Sequence, residues 1–362
     1  MGCTCVEVEN YKVVKEIGKN KTDISKSYLL RSITNDNEYI YKSINVIALN
    51  NKEKKELLNE INVLKEIDHP NIIEIKNSQY SEDNKFLNII TEYADEGTLQ
   101  NKYEEQKKKN QPFDESDLLD WFIQIILALK CIHEKKIIHR DIKPSNIFLT
   151  KDMAKLGNFG VAKALSPTIN YARTMVTTPE YLAPEVKKNS NYTYEADIWS
   201  LGVTFYQLMI LDYPFEGNSP DEIQANIAEG KIKPIPKNCK FDEKFIKIIK
   251  EMMKVNPKER INIEKILEES TIKSRIYCYL NLQKIPELEI KKTIKDYEIK
   301  EKGKRKTVPF IQEGEIENEK EETEEEKEKK EKEKQERKKR KTQYDLCRHM
   351  VTLNKILTMK SE

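Results

Sequence analysis

At 362 residues the chain is longer than one small domain needs. Its 64 basic and 62 acidic side chains leave a net charge of +2, which gives no basis for general nucleic-acid binding. The 35% of charged residues is high, but the excess gathers after residue 290, so the first 275 residues keep an ordinary composition that can bury a core. Six cysteines (Cys3, Cys5, Cys131, Cys239, Cys278, Cys347) show no zinc spacing and read as reduced thiols of an intracellular protein. No apolar run reaches the ~18 residues of a membrane span, and the N-terminus lacks the apolar core of a secretory signal.

Along the chain, Tyr11–Ile17, Lys26–Ser32 and Glu38–Ile44 read as strands, rich in β-branched and aromatic residues and separated by polar turns. Residues 53–67 read as an amphipathic helix with Leu57, Leu58, Ile61, Leu64 and Ile67 on one face, stopped by His69-Pro70-Asn71. Strands follow near Ile72–Ile75 and Phe86–Glu92. From Ser116 the period becomes helical, with a long apolar helix over Leu118–His133. Short strand-like pieces fall at Ile137–Ile138, Ile147–Leu149 and Ala154–Leu156, and helices at Ala196–Met209, Pro220–Glu229, Asp242–Met253 and Ile263–Glu269. The pattern predicts an α+β protein with a small, mostly β lobe and a larger helical one.

Residues 273–314 read as a linker. Residues 315–341 are almost entirely Glu, Lys and Arg with no apolar seam, so they are either disordered or an isolated helix laced with ion pairs. Residues 342–362 carry a short amphipathic stripe, Leu346, Met350, Leu353 and Leu357.

His139-Arg140-Asp141-Ile142-Lys143-Pro144-Ser145-Asn146 resembles the protein-kinase catalytic loop at the correct internal spacing. That chemistry needs a carboxylate to accept the substrate hydroxyl proton, an amide five residues on for a metal ion, and a lysine between them for phosphoryl charge. The resemblance gives these roles to Asp141, Asn146 and Lys143, and a lysine two after the aspartate is the Ser/Thr-kinase pattern. Tyr39-Ile40-Tyr41-Lys42 looks like the third-strand lysine motif, with Glu60 on the next helix as the expected ion-pair partner of Lys42. Thr178 to Glu185 resembles the end of the activation segment, and Asp197 to Gly202 the helix whose aspartate braces the catalytic loop. Arg260 stands where kinases pair an arginine with a glutamate, here Glu185.

Residues 11–272 thus resemble a bilobal protein kinase, and Pro144–Lys151 with Lys155-Leu156-Gly157 are similar to the NIMA-related Ser/Thr kinases. The resemblance implies ATP and Mg²⁺ as cofactors and a protein substrate or partner. It implies nucleotide binding by Ile17, Gly18, Lys42, Glu92, Ala94 and Phe148, with Thr91 as gatekeeper and the hinge backbone at Glu92 and Ala94 meeting adenine. Asn146 and Asn158 take the metal positions.

Three departures bear on catalysis. After Ile17-Gly18 the loop to Ser27 runs about two residues long and has no second or third glycine, so β-carbons meet the phosphates. Ile40 replaces the alanine two before the strand lysine, and Ser27 the valine of the second strand. Asn158-Phe159-Gly160 replaces Asp-Phe-Gly, removing a carboxylate that Mg²⁺ favours. A loss of about 3–5 kcal/mol in transition-state stabilisation would slow transfer about 10²–10⁴-fold. Two expectations stay open: a Ser/Thr kinase with impaired transfer, and a pseudokinase that acts as a scaffold or allosteric partner.

Arg140 is the expected partner of a phosphorylated activation-segment residue, with Thr174 the candidate and Thr178 an unmodified contact to the catalytic aspartate and lysine. Met1-Gly2-Cys3-Thr4-Cys5 resembles the start of acylated kinases, Gly2 for myristate and Cys3 and Cys5 for palmitate. Val6 stands where Ser or Thr is expected, and Glu7 and Glu9 oppose an anionic membrane. A cytoplasmic location and one on the membrane by acylation of residues 1–10 both remain as expectations.

Overall fold

In the computed structural model the described residues are 10–19, 25–151, 153–159, 179–189, 192–236 and 239–282. Residues 1–275 form one compact unit, and residues 276–282 of the last helix fall in a second.

The small lobe is one antiparallel sheet. Its strands are β1 (Tyr11–Lys19), β2 (Ser25–Ser32), β3 (Glu38–Asn45), β4 (Ile75–Tyr80) and β5 (Phe86–Glu92), in the order β1-β2-β3-β5-β4. The register sets Ser27 opposite Lys42, Leu29 opposite Ile40, and Ile40 opposite Thr91. Because side chains alternate along a strand, Ser27, Leu29, Ile40, Lys42, Ile89 and Thr91 share one face. The opposite face is closed by Leu30, Tyr41 and Ile90, with Tyr11, Tyr28 and Tyr39 packed around them. Tyr11 meets Tyr39 edge-on at 5.4 Å between ring centres.

Helix α1 (Asn51–Lys65) starts at a reciprocal cap in which Asn50 and Glu53 each bind the other's backbone N–H. Its buried residues are Leu57, Ile61 and Leu64, the helical spacing read from the sequence. Ile67 is buried as well, but beyond the helix end.

Two strand assignments need correction. β4 begins at Ile75 rather than Ile72, and Ile72 makes only an isolated bridge to Leu156. β4 is an edge strand, where a polar run such as Lys76-Asn77-Ser78-Gln79 can face water, so the apolar signal pointed to the loop before it. Ile137–Ile138 is not a strand; Ile137 is simply buried in the loop before the catalytic residues. Three helices escaped the periodicity, over Leu99–Lys109, Pro184–Asn189 and Ser270–Leu282. α2 (Leu99–Lys109) buries only Leu99 and Tyr103, too thin a stripe to detect, and its start is fixed by capping between Thr98 and Asn101.

The large lobe is built around α3 (Glu115–Glu134), α4 (Pro184–Asn189) and α5 (Tyr194–Ile210). Helix α5 is buried along most of its length. α6 (Pro220–Glu229), α7 (Glu243–Met252), α8 (Ile263–Glu268) and α9 (Ser270–Leu282) follow, and α9 extends into the segment read as linker. Phe122 of α3 sits edge-on to both Phe205 of α5 and Phe245 of α7, at 5.1 and 5.4 Å. The strands β6 (Ile147–Leu149) and β7 (Ala154–Leu156) form a small hairpin that carries the catalytic loop on one side and Asn158 on the other.

Candidate active site

The catalytic loop hangs from one buried carboxylate. Asp197, in the first turn of α5, accepts the backbone N–H of His139 and of Arg140, each at 2.8 Å, and contacts His133 Nε2 at 2.8 Å. Arg140 has φ +70°, a left-handed conformation that an arginine adopts only when its surroundings hold it there. Asp197 does so by fixing two successive amides, that of Arg140 itself and that of His139 before it, while the Asp141 N–H donates to His139 Nδ1 at 3.3 Å. His139 is buried, its ring edge-on to Phe159 at 4.8 Å and its Nε2 3.0 Å from Gly157 O. Burial lowers its pKa and keeps it neutral. Within the loop, Lys143 Nζ lies 2.9 Å from Asp141 Oδ1, and Asn146 Nδ2 donates to Asp141 O and Oδ2 at 2.6 and 2.8 Å.

Asn158 joins this cluster to the small lobe. Its φ is +64°, which asparagine tolerates better than most residues. Lys42 Nζ donates to Asn158 Oδ1 at 3.2 Å, and Asn158 Nδ2 donates to Asn146 Oδ1 at 2.8 Å. The direction of the chain is dictated by chemistry. An ammonium can only donate, so the oxygen of Asn158 must face Lys42 and its NH₂ must face Asn146. Asn146 then presents oxygen to Asn158 and NH₂ to Asp141. A carboxylate at 158 has no proton to give and could not close this chain.

Burial pushes the Lys42 ammonium down to about 8, with Lys143 adding to the effect and Asp141 opposing it. Among the described residues Lys42 and Glu60 form no ion pair, which corrects the expectation from the sequence: the lysine is bonded to Asn158 instead. Glu60 stays on α1 and is half-buried.

The metal positions do not fit Mg²⁺ as they stand. Both candidate ligands are neutral amides, and their oxygens already accept hydrogen bonds, Asn158 Oδ1 from Lys42 and Asn146 Oδ1 from Asn158. A nucleotide fits better. A buried ammonium bonded to a neutral amide is suited to an anionic phosphate.

Thr91 and Ile40 are cross-strand neighbours on the face that carries Lys42, so the bulkier Ile40 does lie on the cleft side of the sheet. At the hinge, Glu92 O accepts the Thr91 hydroxyl at 3.2 Å, and Ala94 is buried. Phe148 is half-buried on β6. A β-carbon on Gly157 would stand 2.8 Å from Ile73 Cγ1 and 2.9 Å from Phe148 Cε2, so any larger residue there forces one of those side chains to shift. β1 runs through Lys19, with Ile17 exposed and Gly18 paired to Ser27. Residues 20–24, Gly160, Thr174 and Thr178 lie outside the described residues. Arg140, expected to meet a phosphate, has its guanidinium 5.9 Å from the Tyr192 ring centre.

The brace at the far end is in place. Arg260 binds Glu185 with two hydrogen bonds, 2.7 and 3.0 Å, and donates to Glu195 O at 2.6 Å. Its guanidinium stacks 5.1 Å from Trp199. One pair was not anticipated. Lys155 of β7 binds Glu92 at 2.8 and 3.1 Å. Nothing in the sequence marks it, since a lysine on a short strand normally faces water.

A two-lobed fold with a catalytic loop braced in this way defines a protein kinase, and the protein kinase domain model matches residues 11–272; the chain belongs to that family. Its relatives are NIMA-related Ser/Thr kinases. It is 37% identical to mouse serine/threonine-protein kinase Nek1 over 80% of this chain and 24% of that protein. It is 36% identical to human Nek5 over 77% of this chain and 39% of that one, and 33% identical to human Nek2 over 73% and 60%. The chain therefore covers less than two thirds of these relatives' own lengths.

Proposed function

We propose that this chain binds ATP in the cleft between Lys42, the hinge and Phe148, and transfers its γ-phosphoryl group slowly to serine or threonine hydroxyls of a protein substrate. One observation carries the reading: Asn158 spans Lys42 and Asn146 as a neutral hydrogen-bonded bridge where kinases place a metal-binding carboxylate. Asp141, held between Lys143 and Asn146, keeps the base that accepts the substrate proton, and Lys143 keeps the positive charge beside it. The reacting-hydroxyl side is therefore retained, while electrostatic stabilisation of the phosphates is weakened.

A second reading is a pseudokinase that works by binding partners. It is favoured by the hydrogen bond of Lys42 to the neutral amide of Asn158, where the family positions this lysine on the α- and β-phosphates with a glutamate. A phosphotransfer assay on serine- and threonine-containing peptides, with Mg²⁺ or Mn²⁺, separates the two. Slow, Asp141-dependent transfer supports the first. Transfer that is absent with both metals, and stays absent in Asn158→Asp, supports the second.

A further inference from the structure

We infer that the buried Glu92–Lys155 ion pair is a positioning element for adenine, a role that rests on the reading of the cleft as a nucleotide site. Glu92 is the first residue of the hinge, and its backbone carbonyl is the acceptor that the reading gives to adenine. By the alternation of β5 its side chain lies on the sheet face opposite Thr91. The Lys155 and Glu92 side chains are only 9% and 15% exposed, so the contact is shielded from water. Glu92 Oε1 accepts Lys155 Nζ at 2.8 Å and the Glu74 backbone N–H at 2.9 Å, and Oε2 accepts Lys155 at 3.1 Å. The Glu92 backbone N–H donates in turn to Glu74 O at 3.0 Å. The residue is thus gripped by backbone and side chain together, which fixes the direction of its carbonyl.

Lys155 connects that grip to the large lobe. It pairs with Phe148 across the β6–β7 hairpin, and directly opposed residues share a face. Phe148 is the residue the reading places at the base. The hairpin is itself held on both flanks. Ile73 N–H binds Leu156 O at 2.9 Å on one side, and Leu149 N–H binds Gly97 O at 2.8 Å on the other. One side chain, Lys155, therefore ties the roof carbonyl of the adenine slot to the strand pair that carries its base. Its effect on the nucleotide is indirect, through Glu92.

The double variant Glu92→Gln/Lys155→Met tests this in the full chain, because removing both charges leaves neither stranded in the interior. The probes are ATP, adenosine and inorganic triphosphate, by calorimetry. The expected result is about tenfold weaker adenosine and ATP binding with triphosphate unchanged. Lys155→Arg with Glu92 intact keeps the ion pair and should bind adenosine within about threefold of the natural chain. Where that variant does not fold, Glu92→Gln/Lys155→Leu makes the same comparison, again with no charge left unpaired in the interior. Unchanged binding of all three probes overturns the inference. So does an equal loss of all three, which would report general loosening. Failure of the wild-type chain to bind adenosine or ATP overturns the nucleotide-site reading itself, and this role falls with it.

Discussion

Replacing Asn158 with aspartate changes one amide NH₂ into a carboxylate oxygen and leaves the shape nearly unaltered. In the natural chain that NH₂ donates to Asn146 Oδ1 at 2.8 Å. In the variant two acceptor oxygens face each other across the same gap. Asn146 cannot turn over to help, because its NH₂ holds Asp141 O and Oδ2 at 2.6 and 2.8 Å. An unsatisfied buried acceptor costs about 1–3 kcal/mol. On the other side Lys42 gains a carboxylate at the present 3.2 Å, a gross attraction of about 5 kcal/mol at an effective dielectric of 20, reduced by the cost of burying the new charge. The variant should therefore fold, with the Lys42 pKa raised above its present value of about 8. A divalent cation between the two oxygens would remove their repulsion. Magnesium at about ten times its Kd adds about 1.4 kcal/mol, or ~3–6 °C in Tm. Thermal unfolding with and without Mg²⁺ should show that shift in Asn158→Asp and not in the natural chain, with phosphotransfer rising about tenfold or more. Equal metal responses in the two proteins would refute the reasoning.

Other consequences follow from the same geometry. The Lys42 ammonium binds fewer protons in the folded chain than in the unfolded one between about pH 8 and the ordinary lysine value, so its contribution raises stability as pH climbs through that window; ¹³C-dimethyl labelling with NMR titration should place its midpoint near 8, and a midpoint at an ordinary lysine value would contradict the burial argument. His139 is held neutral, so stability should fall as pH drops below the free-histidine value, a dependence that His139→Asn should reduce in acid unfolding curves. Arg260→Ala leaves Glu185 without its two-pronged partner and should lower stability by about 3–5 kcal/mol, seen as a Tm drop on the order of 10 °C. Gly157→Ala places a methyl group against Ile73 and Phe148 and should destabilise the chain by about 1–3 kcal/mol in denaturant unfolding.

Much of the fold was legible because its signals are local. The β-branched and aromatic content of β2, β3 and β5 and the spacing of Leu57, Ile61 and Leu64 belong to single segments, and the strands and the buried helix stripe lie where those signals put them. β4 and α2 were hidden for a common reason: each is mostly polar and is stabilised by its neighbours rather than by an apolar face of its own. At the site, the order of Asp141, Lys143 and Asn146 in one loop made their convergence readable, and the Glu185–Arg260 pair could be placed from the family pattern. Lys42 and Asn158 are 116 positions apart. Their hydrogen bond depends on which partner a buried ammonium finds, and spacing carries no information about that. Glu92 and Lys155 pose the same problem, since a charged residue announces its burial only through its partner in space.

The most direct test of the account is the dependence of ATP affinity on magnesium, measured by calorimetry on the natural chain with Mg²⁺ and again with a chelator. With Asn158 bridging Lys42 and Asn146, the two dissociation constants should agree within about threefold. Tightening by about tenfold or more on adding Mg²⁺ would show that the cleft holds the metal in the ordinary way, and would contradict the account.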